Sequence, residues 1–230
     1  MNPTDILPNP TPVKTMVRRK RNRKREEFFN VVTHGAGVVL SAVALALMTH
    51  LSATRGTTLQ LFVSVVFGSS LVLLYAASTL YHAMSRLRWK RRFQIIDHLC
   101  IYVLIAGTYT PVALLGLKGN WGWTIFALIW IFAGIGFVFK LSPLRKREKL
   151  SLLLYLAMGW LIVIALGPLL KNMATEPLLL LLMGGVCYTG GVYFFVKERV
   201  PYYHAVWHVF VLAGSAFHFF GIFLYLLPTA

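Results

Sequence analysis

Acidic residues are scarce in this chain: seven Asp and Glu stand against 23 Lys and Arg among 230 residues. Charge of either sign is sparse as well, at 13% of residues, while 57% are hydrophobic and the mean hydropathy is +0.68. A soluble domain of this size would leave too much apolar surface in water, so composition excludes that class and indicates an integral membrane protein. Cysteine is nearly absent. Cys100 and Cys187 both fall inside apolar runs, which excludes a disulfide framework and a zinc ribbon. The first 25 residues hold no apolar segment followed by a small-residue cleavage site, so the first hydrophobic run is expected to remain as a membrane helix. The net charge of +16 would suggest nucleic acid in a soluble protein. Here it lies beside the apolar runs, so membrane topology and anionic lipid explain it, and no nucleic-acid partner is expected.

Seven apolar stretches are present, at about 31–52, 59–84, 94–116, 121–139, 150–170, 177–196 and 203–227. Each is close to the ~20 residues needed to cross a hydrocarbon core, and backbone groups in lipid must be paired internally, so helices are expected. The predicted fold is an all-α bundle of seven transmembrane helices over residues 26–230. Residues 1–25, with four prolines and a basic run from Arg18 to Arg25, read as a flexible cytoplasmic tail. Twenty of the 23 Lys and Arg residues lie in that tail and in the loops at 85–93, 140–149 and 197–202, leaving Arg55, Lys118 and Lys171 on the other side. The bias predicts a cytoplasmic N-terminus and an extracytoplasmic C-terminus.

Ionisable residues inside a bilayer are costly, which makes them functional candidates by default. His82, Asp97, His204 and His208 all fall at the cytoplasmic ends of their spans, within about two turns of a basic loop. His204 and His208 are four apart, so their rings share one helix face. Pro201 just before them suits the first turn of a helix. With His82 they make three imidazoles, which suits Zn2+ with an open fourth position, the mark of a catalytic rather than a structural site. Such a zinc activates water near neutral pH, Asp97 is then placed to act as general base, and Ser78, one turn from His82, to bind a substrate carbonyl or to orient Asp97. Taken singly, each histidine reads as an interhelical hydrogen-bond partner, and Ser78 as a helix contact; it is the matched depth that favours a metal.

His98 points about 100° away from Asp97 and reads as packing or support. His218 lies roughly 15 Å deeper than His208, beyond reach of one ion, and His50 reads as interfacial. Glu27, Asn30, Thr33 and His34 open the first span. Glu27, Asn30 and His34 share a face and read either as a capped helix start or as groups that support or gate the site. Pro111 is expected to kink the third span.

The pattern Glu27-x-x-Asn30-x-x-Thr33-His34, Ser78-x3-His82, Asp97 leading to Ala106-Gly107-Thr108-Tyr109-Thr110-Pro111, and His204-x3-His208 resembles the hemolysin III family, which belongs with the progestin and adipoQ receptors. The resemblance runs from about residue 26 to the end, with no departure at the ligand positions. It implies a seven-helix bundle, zinc on His82, His204 and His208, and Asp97 reaching the metal through water. It also implies kinship with membrane hydrolases of lipid amides, the alkaline ceramidases among them, and a bacterial inner (plasma) membrane. Four functions follow as expectations: a zinc-dependent hydrolase of lipid amide or ester bonds, with membrane lipid as substrate; a non-catalytic membrane-homeostasis or receptor-like protein stapled by zinc; a pore-forming cytolysin; and, last, a proton-coupled transporter. Oligomeric state is not legible.

Overall fold

The computed structural model describes the backbone of residues 12–227 and, Lys146 aside, the side chains of residues 23–227. The remainder of the expected tail, residues 1–11, lies outside them. All regular structure among the described residues is helical, and seven helical segments are long and apolar enough to cross a membrane. They are α1 (Pro12–Arg55), α2 (Thr58–Ala83), α3 (Leu87–Pro111), α4 (Gly119–Leu141), a broken fifth span made of α5 (Glu148–Gly159) and α6 (Leu166–Asn172), then α7 (Thr175–Val196) and α8 (Tyr203–Gly221). The first helix reaches back over residues 12–25, which composition alone assigns to the tail. Pro12 opens it, and the Lys and Arg that follow are good helix formers.

Each boundary has a local cause. The turn before α2 carries a capping box: Thr57 Oγ1 accepts from Gln60 N and Gln60 Oε1 accepts from Thr57 N. Gln60 Nε2 also donates to the Leu227 carbonyl and ties the end of the last span to this turn. Pro111 does mark a change of backbone geometry: α3 passes directly into a wider π segment, Val112–Leu117, whose residues are all buried. A second π segment, Ile222–Leu226, ends the last span and packs against the first. The last span begins at Tyr203, where the apolar run 203–227 starts, but Pro201, expected to suit its first turn, lies outside it. Tyr202 holds φ +67°, a left-handed conformation that no α-helix tolerates, so Pro201 belongs to the turn.

The fifth span breaks after Gly159, where a 3-10 segment, Leu161–Ala165, joins α5 to α6. The Tyr109 hydroxyl bridges the break, donating to Gly159 O at 2.8 Å and accepting from Ile162 N at 2.9 Å. Two backbone groups that would face lipid unpaired are thereby satisfied.

Helices α1, α2, α3 and α4 pack in sequence, α7 packs along α8, and α8 returns against α1. The third span is the hub: 78% of its apolar window is buried, against 11% for α7. Close approach depends on missing side chains. A Cβ at Gly184 would meet His218 Cδ2 at 2.2 Å, and one at Gly136 would meet the Tyr102 ring at 2.4 Å.

Candidate metal centre

Two helices bring the three histidines together. His82 is in the last turn of α2, while His204 and His208 are in the first turns of α8. Each offers a ring nitrogen within 4.8 Å of those of the others. Ring centroids are 5.0 Å apart for His82–His204 and His82–His208, and 4.7 Å for His204–His208. Three imidazoles so close, with His82 and His208 buried, are the donor set for a metal ion.

The partners on the far side of each ring decide which nitrogen faces inward. His82 Nδ1 lies 2.8 Å from Glu27 Oε2, whose other oxygen accepts from Lys90 Nζ at 2.7 Å. His204 Nδ1 lies 3.1 Å from Glu198 Oε2. His208 Nδ1 lies 3.2 Å from Thr33 Oγ1, which itself donates to the Phe29 and Asn30 carbonyls. All three Nδ1 atoms therefore face acceptors and carry the proton, leaving every Nε2 lone pair free for a ligand. His82 Nε2 is buried with no hydrogen-bond partner among the described residues. A buried polar nitrogen without a partner is destabilising, and a metal at the centre of the triangle would satisfy it. The donor set thus fits a metal ion on the structure's own terms.

Charge is arranged to match. A dication bound by three neutral imidazoles would face Glu27, Glu198 and Asp97. The hydrogen bond from His204 holds the Glu198 carboxyl below the usual carboxylate range, so it stays ionised at neutral pH.

Asp97, on α3, is outside the triangle of ligand atoms but within electrostatic reach of His204, and it faces the Ser78 side chain. Ser78 is itself buried on α2, one turn from His82. On α1, Asn30 Nδ2 lies 3.4 Å from His82 Nδ1. His34 stacks on His208 with ring centroids 3.5 Å apart and meets Tyr75 edge-on. The face expected to carry Glu27, Asn30 and His34 therefore supports the histidines directly. Sequence singles out Thr33 without its task, and misses Glu198 altogether, whose only signal is its place six residues before His204. His218 is remote as expected: it donates to Leu181 O at 3.0 Å beside Gly184. His50 is exposed.

A family model described as haemolysin-III related matches residues 22–219. "Hemolysin-3" of Bacillus cereus is 45% identical over 206 residues, covering 90% of this chain and 94% of that protein. "Hemolysin-3 homolog" of Bacillus subtilis (strain 168) is 42% identical over 201 residues, 87% of this chain and 94% of its own. "Monocyte to macrophage differentiation factor" of Homo sapiens is 30% identical over 213 residues, 87% and 84% respectively. With the histidine pairs, the opening Glu-Asn-Thr-His pattern and the seven spans already in place, the chain belongs to the haemolysin-III family of integral membrane proteins.

Proposed function

We propose that this protein is a zinc-dependent hydrolase of lipid amide or ester bonds, working at the inner leaflet of a bacterial plasma membrane. The observation that carries the reading is the triangle of His82, His204 and His208 with each Nδ1 engaged and each Nε2 free. Three neutral imidazoles favour Zn2+ and leave a coordination position for chemistry. Zinc, when bound, supplies a Lewis acid that acidifies water and polarises a carbonyl.

The chain's own residues do the rest. The Asp97 carboxylate takes a proton from the water that attacks the carbonyl carbon. It then returns that proton to the leaving nitrogen or oxygen as the acyl bond breaks, so the site ends as it began. Ser78 orients Asp97 or donates to the carbonyl oxygen. Glu27, Thr33 and Glu198 fix the imidazole rings, and the stack of His34 on His208 limits ring rotation. Membrane lipid is the substrate class, reached from the bilayer. The basic bias of the loops supports a cytoplasmic N-terminus, which puts the site on the inner face.

The test begins with metal content by inductively coupled plasma mass spectrometry on detergent-purified protein, wild type beside His208→Ala. About one zinc per chain, lost in the variant, supports the centre. A lipid-amide and lipid-ester screen follows, in which Asp97→Asn must keep zinc and lose turnover. Zinc-free wild type, or a fully active Asp97→Asn, overturns the reading.

One observation favours a second reading. The histidines sit on α2 and α8, which both pack against α1, so a metal would staple them without any turnover. That protein would lose thermal stability in His82→Ala and consume no lipid. Pore formation, which the names of the Bacillus relatives suggest, ranks below both. The clustered ionisable groups gather at one end of the bundle, an arrangement that suits a site there better than a path through it.

A further inference from the structure

A groove between α1 and α8 runs from the basic end of the bundle down to the back of the histidine centre. Its volume is about 680 Å3, within the range of small-molecule sites. Its outward side is open, with Phe28 and Val209 more than half exposed. Phe28 and Phe29 line it from α1, and Ala205, Val206 and Val209 line it from α8. Both helices enter the apolar layer from the same end, so the two walls descend together, by roughly 12 Å from Arg25 to Thr33. Tyr202 joins them. Its left-handed backbone precedes α8, and its ring meets Phe29 edge-on with centroids 5.7 Å apart.

The two ends of the groove differ. Arg25 stands at the mouth. It is exposed, it forms no ion pair, and no carboxylate lines the groove, among the described residues. The nearby Glu27 is turned to His82 and Lys90 instead. Thr33 lies at the deep end, with its hydroxyl 3.2 Å from His208 Nδ1. That nitrogen is on the far side of the ring from the free Nε2. An occupant of the groove therefore rests behind His208 and touches no metal.

A cation above an apolar slot is the complement of an anionic amphiphile. A free anion would leave the apolar walls uncovered. A second copy of the chain would bring its own basic loops to the same depth, where like charges oppose contact.

We propose that the α1–α8 groove binds one anionic phospholipid, with its headgroup at Arg25 and the upper part of an acyl chain along Phe29, Val206 and Val209 as far as Thr33. Lying behind His208, it is a resident lipid rather than a substrate, and the site depends neither on a bound metal nor on turnover. By covering Thr33, the chain keeps water from the hydroxyl that holds His208.

The test is photolabelling of the full chain in phosphatidylcholine vesicles, with phosphatidylglycerol or phosphatidylcholine that carries a diazirine on one acyl chain. Labelled residues are read by peptide mass spectrometry. With phosphatidylglycerol, label on residues 28–33 and 205–209 saturates as its mole fraction rises. Label on Val186 and Tyr193, exposed on α7, rises in proportion. At equal mole fraction the phosphatidylcholine analogue labels the groove about fivefold less, the discrimination that one arginine gives at a membrane surface. Arg25→Gln removes this preference, whereas Arg147→Gln, exposed in another basic loop, keeps it. Ala205→Trp fills the groove and leaves only proportional labelling there. Arg25→Gln, a change at an exposed side chain, decides the matter if Ala205→Trp does not fold. Proportional labelling of the groove in the wild type means ordinary boundary lipid and overturns the proposal, as does an unchanged preference in Arg25→Gln. So does an unlabelled groove in chains that cross-link to one another, because a second copy then covers it.

Discussion

Replacing Glu27 by Gln tests whether the histidine triangle is a metal site or only a knot of hydrogen bonds. The Glu27 carboxylate touches no candidate ligand nitrogen on its metal-facing side. It acts through His82 Nδ1, at 2.8 Å, and fixes the Nδ1–H form that leaves Nε2 free. Groups in this position typically cost 10–100-fold in metal affinity when altered, or about 1.4–2.7 kcal/mol. Glutamine keeps the size of the side chain and one acceptor oxygen but loses the charge that supports a dication. Lys90, on the opposite carboxylate oxygen at 2.7 Å, is 18% exposed and Glu27 28%, and the pair keeps access to water at the loop, so Lys90→Met should cost only about 1 kcal/mol. The assay is zinc affinity by competition with a fluorescent chelator, on protein whose helical content is unchanged. The expected order of loss is His208→Ala, then Glu27→Gln, then Lys90→Met. Zinc affinity unchanged in Glu27→Gln would refute the inward-facing Nε2 arrangement, even if the protein still bound metal elsewhere.

Three further outcomes are expected. Gly184→Ala would force a Cβ to 2.2 Å from His218 and should destabilise by about 1–3 kcal/mol in reversible unfolding in mixed micelles, whereas Gly134→Ala, with nothing within 4 Å, should be neutral or slightly stabilising. Tyr109→Phe should cost about 1–3 kcal/mol in the same assay, since it strands the Gly159 carbonyl and the Ile162 amide at the break in the fifth span; equal stability would mean that the break is paired some other way. Zinc occupancy should fall as the pH is lowered, because protons compete with the metal for the imidazole lone pairs. Glu198, held below the usual carboxylate range by its hydrogen bond with His204, stays ionised over most of that fall in pH, so Glu198→Gln should weaken zinc binding and raise the pH at which the metal is released.

The seven spans and the polar end of the bundle are legible in the sequence because both depend on one-dimensional quantities, apolar run length and loop charge. His204 and His208 follow from helical spacing, and His82 from depth. Glu198 does not. It belongs to a turn whose path depends on the left-handed Tyr202, and nothing in composition indicates that a tyrosine will adopt φ +67°. Lys140 reads as the first residue of a basic loop, and only the packing of α3, α4 and α5 buries it. The break after Gly159 is hidden in a run that is apolar throughout, because the hydroxyl that makes it tolerable is 50 residues away.

The two π segments, Val112–Leu117 and Ile222–Leu226, meet at the end of the molecule opposite the histidines. With Leu114, Leu115, Leu117, Ile222 and Leu226 buried there, they form a greasy lid across the bundle. A layer of that kind has no groups to replace an ion's hydration shell. That apolar layer opposes the leak of ions through the bundle, whatever charged and proton-exchanging groups the histidine end holds.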